Sequence, residues 1–207
     1  MADKQTLEHY EANASEYIEA YRDAKVSRQQ ALILEHFHEG GRTLDVGCAS
    51  GRDLRWLLAN GFEAEGLDAV RGFVERCRAQ LPALKIYHDV LPKLSQSLGP
   101  QATCDLECRY DNLLISATLM HLPREELGEA LSQLKRLVRE GGRALISVRP
   151  ARVEEADAQR EGERLFTRLS EAELSATLTK VGWRVRFSEQ RAEDEQGKRW
   201  LTVIVER

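Results

Sequence analysis

The segment Leu44–Leu54 reads LDVGCASGRDL and places an acidic residue and two glycines within and just after an apolar run. A buried strand that ends in a glycine-rich turn and opens a helix leaves unpaired backbone N–H groups beside a ligand. Glycines at such a turn let the backbone approach that ligand closely. The segment therefore predicts a ligand-binding loop between a strand and a helix.

The residues of this loop distinguish between the nucleotides that glycine-rich loops bind. A P-loop requires Lys and then Ser or Thr after its last glycine, but Arg52 and Asp53 follow Gly51. A dinucleotide loop requires the spacing G-x-G-x-x-G, whereas three residues separate Gly47 from Gly51 here. Asp45 lies two residues before the first glycine, and an acid there suits a ligand that is cationic or donates N–H bonds.

Two further acidic residues end the next two predicted strands. Asp68 follows Gly47 by 21 residues, and a carboxylate at that place can accept bonds from both hydroxyls of a ribose. Asp89 ends the third predicted strand, where it can meet the amino group of an adenine. A cationic end, a ribose diol and an adenine amine occur together in S-adenosylmethionine. We therefore expect this cofactor, with S-adenosylhomocysteine as the product.

The motif D-x-G-x-A-x-G over 45–51 is followed by Asp68, Asp89, YDNLLISATLMHLP and REGGRALISV. This series resembles the class I S-adenosylmethionine-dependent methyltransferases. Within them the chain is most similar to the small-molecule methyltransferases of the 11, 12 and 25 type, whose N-terminal helical motif the segment 10–17 also resembles. The resemblance covers roughly residues 8–150 and implies methyl transfer to a small molecule.

One residue of the loop departs from the family pattern, because Ala49 stands where the family has its middle glycine. Alanine disfavours positive φ, so the loop is expected to keep the family's form if Ala49 has a negative φ. Asp45 is expected to orient the loop or to hold the methionine ammonium through an intervening group.

The resemblance implies cofactor contacts from the glycine-rich loop, from the strand ends and from the N-terminal helices. The expected cofactor-binding residues are Tyr10, Tyr17, Asp45, Gly47, Cys48, Ala49, Gly51, Asp68, Ala69, Asp89, Val90, Ser116 and Ala117. Two alternatives stay open. Tyr10 and Tyr17 lie on an apolar helical stripe that equally suits a core position, and His88 competes with Asp89 for the place beside the adenine.

Two residues at the same edge of the sheet are candidates for contact with the methyl acceptor. His121 follows the fourth strand and is the candidate catalytic base, because histidine takes up a proton near neutral pH. A histidine bonded to backbone at the start of a helix is the alternative. Arg149 ends the fifth strand and is the candidate substrate residue, as a clamp for an anion. Its alternative is a pair with a glutamate of segment 151–164.

Strands and helices alternate after an N-terminal section of two helices within 6–39. This alternation predicts parallel βαβ units. Strands are expected at 42–46, 62–67, 84–88, 111–116, 143–148, 183–188 and 200–206. Helices are expected at 53–59, 71–80, 123–139 and from a capping box at Ser170 to about Gly182. The expected fold is an α/β, doubly wound, seven-stranded and mostly parallel Rossmann-like sheet, with N-terminal helices and an antiparallel closing strand.

We expect one domain over 1–207 with three parts. The ranges are a helical cap (1–40), a cofactor-binding core (41–149), and a lid segment with the closing helix and hairpin (150–207). Within the last part, the polar segment 151–164 is expected to be a mobile connection or a loosely packed helix that acts as a lid.

The net charge and the composition argue against several classes of function. The formal net charge is −4 and no long block of like charge occurs, which argues against a dedicated nucleic-acid binder. No window approaches the roughly 20 apolar residues of a membrane span, so cytoplasmic residence is expected. The four cysteines, Cys48, Cys77, Cys104 and Cys108, match no disulfide or metal spacing. The alternatives that stay open are an RNA or protein methyltransferase, a non-catalytic binding module and, less favoured, an NAD-linked oxidoreductase.

Overall fold

A computed structural model of the chain describes residues 3–22, 26–98, 106–151, 158–191 and 198–207. The strands in these ranges are β1 (Arg42–Val46), β2 (Glu63–Asp68), β3 (Ile86–His88), β4 (Tyr110–Ser116), β5 (Val138–Val148), β6 (Ala158–Glu161), β7 (Arg164–Thr167), β8 (Arg184–Arg191) and β9 (Trp200–Glu206). The α-helices are α1 (Lys4–Ala12), α2 (Ala14–Arg22), α3 (Ser27–His36), α4 (Arg52–Ala59), α5 (Arg71–Gln80), α6 (Ser95–Leu98), α7 (Leu127–Leu137) and α8 (Glu171–Lys180).

Seven of these strands form one sheet in the order β3-β2-β1-β4-β5-β9-β8. Strands β1 to β5 pair in parallel, whereas β9 runs antiparallel to both β5 and β8. The strand order reverses between β1 and β4, and open α/β sheets bind ligands outside the carboxyl ends of the strands at such a point. The doubly wound sheet with an antiparallel closing strand is thereby confirmed.

Helices cover both faces of the sheet, which is why the middle of the central strand β4 is apolar on both faces. On β4, Leu113 and Ile115 belong to one core cluster and Leu114 belongs to the other. A third and smaller cluster joins the N-terminal helices to α5, where Ala14 and Ile18 pack with Val70 and Phe73, and it includes Tyr10, Tyr17 and Ala49. The N-terminal helices are therefore packed directly against the glycine-rich loop.

Side chains cap the N-termini of α8 and α1. At α8, the Ser170 Oγ accepts a bond from the Glu173 N–H (3.3 Å), and the Glu173 carboxylate accepts one from the Ser170 N–H (2.8 Å). This reciprocal pair is the expected capping box. At α1, the Asp3 carboxylate accepts a bond from the Thr6 N–H at 2.9 Å.

The sequence predictions were wrong for one helix, for the start of the fifth strand and for the number of N-terminal helices. The helix expected over 123–139 is a 3-10 turn at Arg124–Glu126 followed by α7. Arg139 lies instead in β5, because that strand begins at Val138, which is fully buried and pairs with Tyr110 of β4. Two helices were expected within 6–39, and the structure has three there, α1, α2 and α3.

The segment expected to be a polar connection or helix forms a second, two-stranded sheet where it is described. β6 and β7 pair antiparallel around Gly162, whose φ is +62°. Leu165, Phe166 and Thr167 of β7 are buried, so this hairpin has an apolar face despite its charged sequence. Residues 152–157 of the expected lid lie outside the described residues.

Within the described ranges, none of the helices has the length and apolar character needed to cross a membrane. The same ranges hold no group of three or more His, Cys, Asp or Glu side chains suited to a metal ion. Cys48, Cys77 and Cys108 have free thiols, and Cys104 lies outside the described residues.

Candidate functional site

The loop after β1 depends on Gly47 for its conformation. Gly47 has a φ of +82°, and its N–H donates to the Leu67 carbonyl at 2.7 Å. A Cβ at this position would lie 2.2 Å from the Thr118 Oγ1, which itself donates to the Val46 carbonyl at 2.9 Å. The two loops that follow β1 and β4 are therefore in van der Waals contact, and only glycine fits at their junction.

Ala49 does not have the negative φ that we expected as the condition for the family's form of the loop, because its φ is +41°. Left-handed backbone disfavours alanine by about 1 kcal/mol. Two contacts with distant residues hold this conformation: the Ala49 N–H donates to the Asp68 Oδ2 (2.9 Å), and the Cys77 thiol donates to the Ala49 carbonyl (3.1 Å). The loop keeps the shape that a glycine would allow, and Gly51, at φ +72°, leads from it into α4.

Asp68 lies at the carboxyl end of β2 and is 6% exposed. Its Oδ1 accepts the Val70 N–H at 2.9 Å and its Oδ2 accepts the Ala49 N–H at 2.9 Å. Burial raises the pKa of Asp68 to about 6, against the opposing effect of these backbone bonds. Each oxygen retains a lone pair for a further donor, which is what a ribose diol supplies.

Asp45 is buried beneath the same loop. Burial raises the pKa of Asp45 well above its usual range, and the neighbouring Asp53 carboxylate raises it further. Among the described residues, the Asp45 Oδ2 has no hydrogen-bond partner. An acid in this position favours a cationic or N–H-donating neighbour, so it fits the ligand that the sequence predicts.

Asp89 supports the loop after β3. Its Oδ1 accepts the Val90 N–H and its Oδ2 accepts the Ser97 N–H, both at 2.8 Å. The competing His88 faces the Ala69 carbonyl instead, at 3.1 Å. Asp89 and Ala69 thus lie at the same sheet edge as Asp68, and the predicted contact of Asp89 with an adenine stays a prediction.

The end of β4 contributes Ser116 and Ala117. The Ser116 Oγ donates to the Gln29 Oε1 of α3 at 2.7 Å. Ala117 has a φ of +55°, and its N–H donates to the Ser147 carbonyl of β5 at 3.0 Å. Both residues are half-buried beside the glycine-rich loop, where the predicted methionine half of the cofactor is expected.

His121 is held between the hairpin and the N-terminal helices. Its Nδ1 lies 2.8 Å from the Leu165 carbonyl, and its Nε2 lies 3.1 Å from the Tyr10 hydroxyl. A carbonyl only accepts, so Nδ1 carries the proton and Nε2 accepts from Tyr10. Burial lowers the pKa of His121 to about 4. The ring is therefore neutral at pH 7. Its Nδ1 is bonded to a backbone carbonyl, as in the alternative that the sequence left open.

Tyr10 and Tyr17 of the N-terminal helices pack close to His121 and Ala49. Their rings lie 4.8 Å apart between centroids, and Tyr10 also lies 5.4 Å from the His121 ring. The Tyr17 hydroxyl lies 3.0 Å from the His9 Nε2. Burial raises the pKa of Tyr10. These tyrosines pack against the small core cluster, and their expected contact with the cofactor stays a prediction.

Arg149 makes the alternative contact that the sequence left open, with Glu161. Its Nη1 lies 2.6 Å from the Glu161 Oε1, and its guanidinium lies 4.8 Å from the centre of the Phe166 ring. The guanidinium of Arg164, which sequence reasoning missed, lies 5.1 Å from the centre of the Phe166 ring and 5.6 Å from that of the Tyr17 ring. The alternation of Arg164 and Phe166 in RLFT was the signal for a strand that carries both on one face.

Comparison with protein families places this geometry in context. A family model described as a methyltransferase domain matches residues 17–198. Comparison with curated proteins gives no match.

Solved structures resemble the chain over nearly its whole length. One is a Burkholderia thailandensis 1,6-didemethyltoxoflavin-N1-methyltransferase with bound 1,6-didemethyltoxoflavin and S-adenosylhomocysteine, with a TM-score of 0.75, 19% identity and coverage of 98% of this chain and 87% of that one. Another is the [4+2]-cyclase SpnF, with a TM-score of 0.73, 14% identity and coverage of 100% and 96%. A third, an S-adenosylmethionine-dependent methyltransferase from Methanosarcina mazei, has a TM-score of 0.69, 17% identity and coverage of 85% and 96%. At these identities the likeness is one of fold.

Proposed function

Because the chain belongs to the methyltransferase-domain family, we propose that it is an S-adenosylmethionine-dependent enzyme that transfers a methyl group to a small-molecule acceptor by in-line displacement. The observation that carries the proposal is the pair of buried acids, Asp45 and Asp68, on either side of the Gly47 loop at the point where the strand order reverses. The bound S-adenosylhomocysteine of the toxoflavin methyltransferase of the same fold supports it.

The residues at this edge fit the cofactor part by part. Asp68 would accept the ribose hydroxyls, with Ala69, Asp89 and Val90 beside the adenine. The loop residues Gly47, Cys48, Ala49 and Gly51 would approach the cofactor with their backbone. Asp45 would attract the ammonium, directly or through an intervening group.

The remaining residues cover the methionine half of the cofactor and the acceptor. Ser116 and Ala117 would line it at the end of β4, and Tyr10 and Tyr17 would cover it from the N-terminal helices. The hairpin of β6 and β7 is held to α1 by the bond from the Leu165 N–H to the Thr6 Oγ1, at 2.8 Å. In this proposal the helical cap and the hairpin together act as the lid over the core.

When bound, S-adenosylmethionine supplies an already activated methyl group, so the protein's main tasks are alignment and exclusion of water. The aromatic wall of Tyr10, Tyr17 and Phe166 excludes water on the acceptor side. A base is needed only for an acceptor that must lose a proton. His121 is the candidate, through the lone pair that its Nε2 directs at the Tyr10 hydroxyl.

Transfer of label tests this function. The purified chain is incubated with methyl-labelled S-adenosylmethionine and with a small-molecule extract, total RNA or total protein. We expect label in the small-molecule fraction, and none with Asp68→Ala. Asp111→Asn is the matched control, since Asp111 lies at the opposite end of β4 and pairs with Arg139. Label in RNA or protein would overturn the small-molecule acceptor, and cofactor binding with no transfer to any fraction would favour a non-catalytic module.

A further inference from the structure

Among the residues that the structure describes, three arginines lie around the carboxylate of Glu161, beside the proposed acceptor site. Glu161 lies 2.6 Å from Arg149, 3.5 Å from Arg168 and 3.9 Å from Arg164, measured between charged nitrogen and oxygen atoms. The arginine side chains are only 17%, 10% and 22% exposed, respectively. Partly buried guanidiniums in such proximity repel one another unless anions neutralise them.

Two of these guanidiniums, those of Arg149 and Arg164, lie over the ring of Phe166. Arg149 and Arg164 together hold two positive charges, and both approach the one carboxylate of Glu161. In the part of the chain that the structure describes, the Arg149 Nε is buried without a hydrogen-bond partner. The hydrogen bond that Arg164 donates to the Tyr10 hydroxyl is long, at 3.5 Å. Within the described ranges, Arg149 and Arg164 therefore retain donors and positive charge that one glutamate does not match.

This cluster is connected to the glycine-rich loop through a series of aromatic rings. Ala49 packs in the same small cluster as Tyr10. The Tyr10 ring lies 5.4 Å from His121, the His121 ring lies 4.9 Å from Phe166, and the Arg149 guanidinium lies 4.8 Å from Phe166. A molecule that is held by the arginines and lies along these rings extends towards the loop.

We propose that Arg149 and Arg164 bind an acidic group, a carboxylate or a phosphate, of the methyl acceptor, and that Glu161 occupies their guanidiniums until the acceptor binds. This inference rests on the proposed function. Guanidiniums bind both oxyanions in paired N–H···O bonds. Both guanidiniums lie over the Phe166 ring, at 4.8 Å and 5.1 Å from its centre, so the acceptor meets two cations that are already close together. Glu161 competes with the acceptor for the same donors.

Titration with model acids tests the inference. The full chain is saturated with S-adenosylhomocysteine and titrated with benzoate, phenyl phosphate and the neutral benzamide, and binding is followed by NMR. We expect benzoate or phenyl phosphate to bind at least about tenfold more tightly than benzamide, in keeping with the strength of charge-assisted bonds. Arg149→Gln and Arg164→Gln should each remove that preference.

Three further variants separate recognition from structure. Arg149→Lys keeps the charge and should retain part of the acid affinity even if Arg149→Gln does not fold. Glu161→Gln removes the competing carboxylate and should strengthen acid binding several-fold. The matched control is Arg186→Gln, because Arg186 pairs with Glu206 on the surface of the edge strand β8, and its acid affinity should equal that of the wild type.

The outcomes distinguish this inference from the proposed function. Failure to bind S-adenosylhomocysteine contradicts the proposed function itself. Binding of S-adenosylhomocysteine with equal affinity for benzoate, phenyl phosphate and benzamide overturns the acidic acceptor alone. Weaker acid binding by Glu161→Gln would also overturn it, because Glu161 would then be part of the site and not its competitor. A preference for one of the two acids identifies the oxyanion.

Discussion

Affinity for S-adenosylhomocysteine is expected to depend on pH through Asp68. Burial raises the pKa of this carboxyl from 3.8 to about 6, a difference of about two pH units, or about 3 kcal/mol against ionisation. The protonated acid cannot accept from both ribose hydroxyls. Affinity should therefore be constant above pH 7 and fall about tenfold for each pH unit below 6. Between pH 7.5 and pH 5 we expect a loss of about tenfold.

The sign of the linked change in stability is opposite to that of most acids. Because the folded pKa of Asp68 lies above its unfolded value, its contribution to the free energy of unfolding is fully present below pH 3.8. That contribution is lost as the pH rises through about 6. Binding and stability thus respond to the same proton in opposite directions.

Calorimetric titration at pH 7.5, 6 and 5 measures the affinity. Asp68→Asn should bind weakly at every pH, with no slope, whereas Asp111→Asn should behave as the wild type. The pKa of Asp111 is lowered by Arg139 and by the Arg42 N–H, against the opposing effect of burial. Wild-type affinity for Asp68→Asn would refute the ribose contact. A slope that persists in this variant would assign the titration to Asp45, whose pKa is also raised.

Three more predictions concern stability. Gly47→Ala, whose Cβ would lie 2.2 Å from the Thr118 Oγ1, should lose at least about 2 kcal/mol in urea unfolding and abolish S-adenosylhomocysteine binding; wild-type stability would contradict the tight junction. The pKa of His121 falls from 6.5 to about 4, so its own contribution to stability, measured as the difference between the wild type and His121→Gln, should fall by up to about 3 kcal/mol as the pH drops through this range. His121→Gln should lack that loss. Urea unfolding at pH 7 and at pH 4.5 measures the change in stability of each protein, and an equal change in the wild type and in the variant would contradict the prediction. Thr6→Val removes the acceptor of the Leu165 N–H and should cost about 1–2 kcal/mol; unchanged hydrogen exchange at that amide would show that the bond does not hold the hairpin.

Much of the fold could be predicted because local signals and packing agree. Helix α5 spans Arg71–Gln80, the predicted bounds, and the capping box at Ser170 opens α8. The boundary between α7 and β5 could not be predicted, since it is set by the pairing of Val138 with Tyr110 on a strand distant in sequence. Local propensity continues the helix there, and tertiary pairing ends it.

The hairpin of β6 and β7 escaped prediction because charged side chains dominate its sequence. Arg160 pairs with Asp3 at 2.6 Å, and Arg149 pairs with Glu161. Such partners lie far apart in the chain, so no periodicity reveals them. Ala49 is a similar case, because bonds to Asp68 and Cys77 hold it at a φ that its own side chain disfavours.

The candidate site was predictable where a motif places residues at strand ends. The sequence alone predicted that Asp45, Gly47 and Asp68 would lie at one sheet edge, and the parallel pairing of β1 with β2 places them there. Contacts from other elements could not be predicted from the sequence, and those of Gln29 of α3, Thr118 and Arg164 are examples. These contacts depend on how the elements pack against one another, whereas the sequence predicted only the order of the elements along the chain.

The most direct test of the central claim is a calorimetric titration of the purified chain with S-adenosylmethionine, S-adenosylhomocysteine and NAD, repeated with Asp68→Ala. The proposed site predicts micromolar binding of both adenosyl ligands, loss of that binding in the variant and no binding of NAD. Binding of NAD, or no binding of either adenosyl ligand by the wild type, would contradict the assignment of the Gly47 loop to this cofactor.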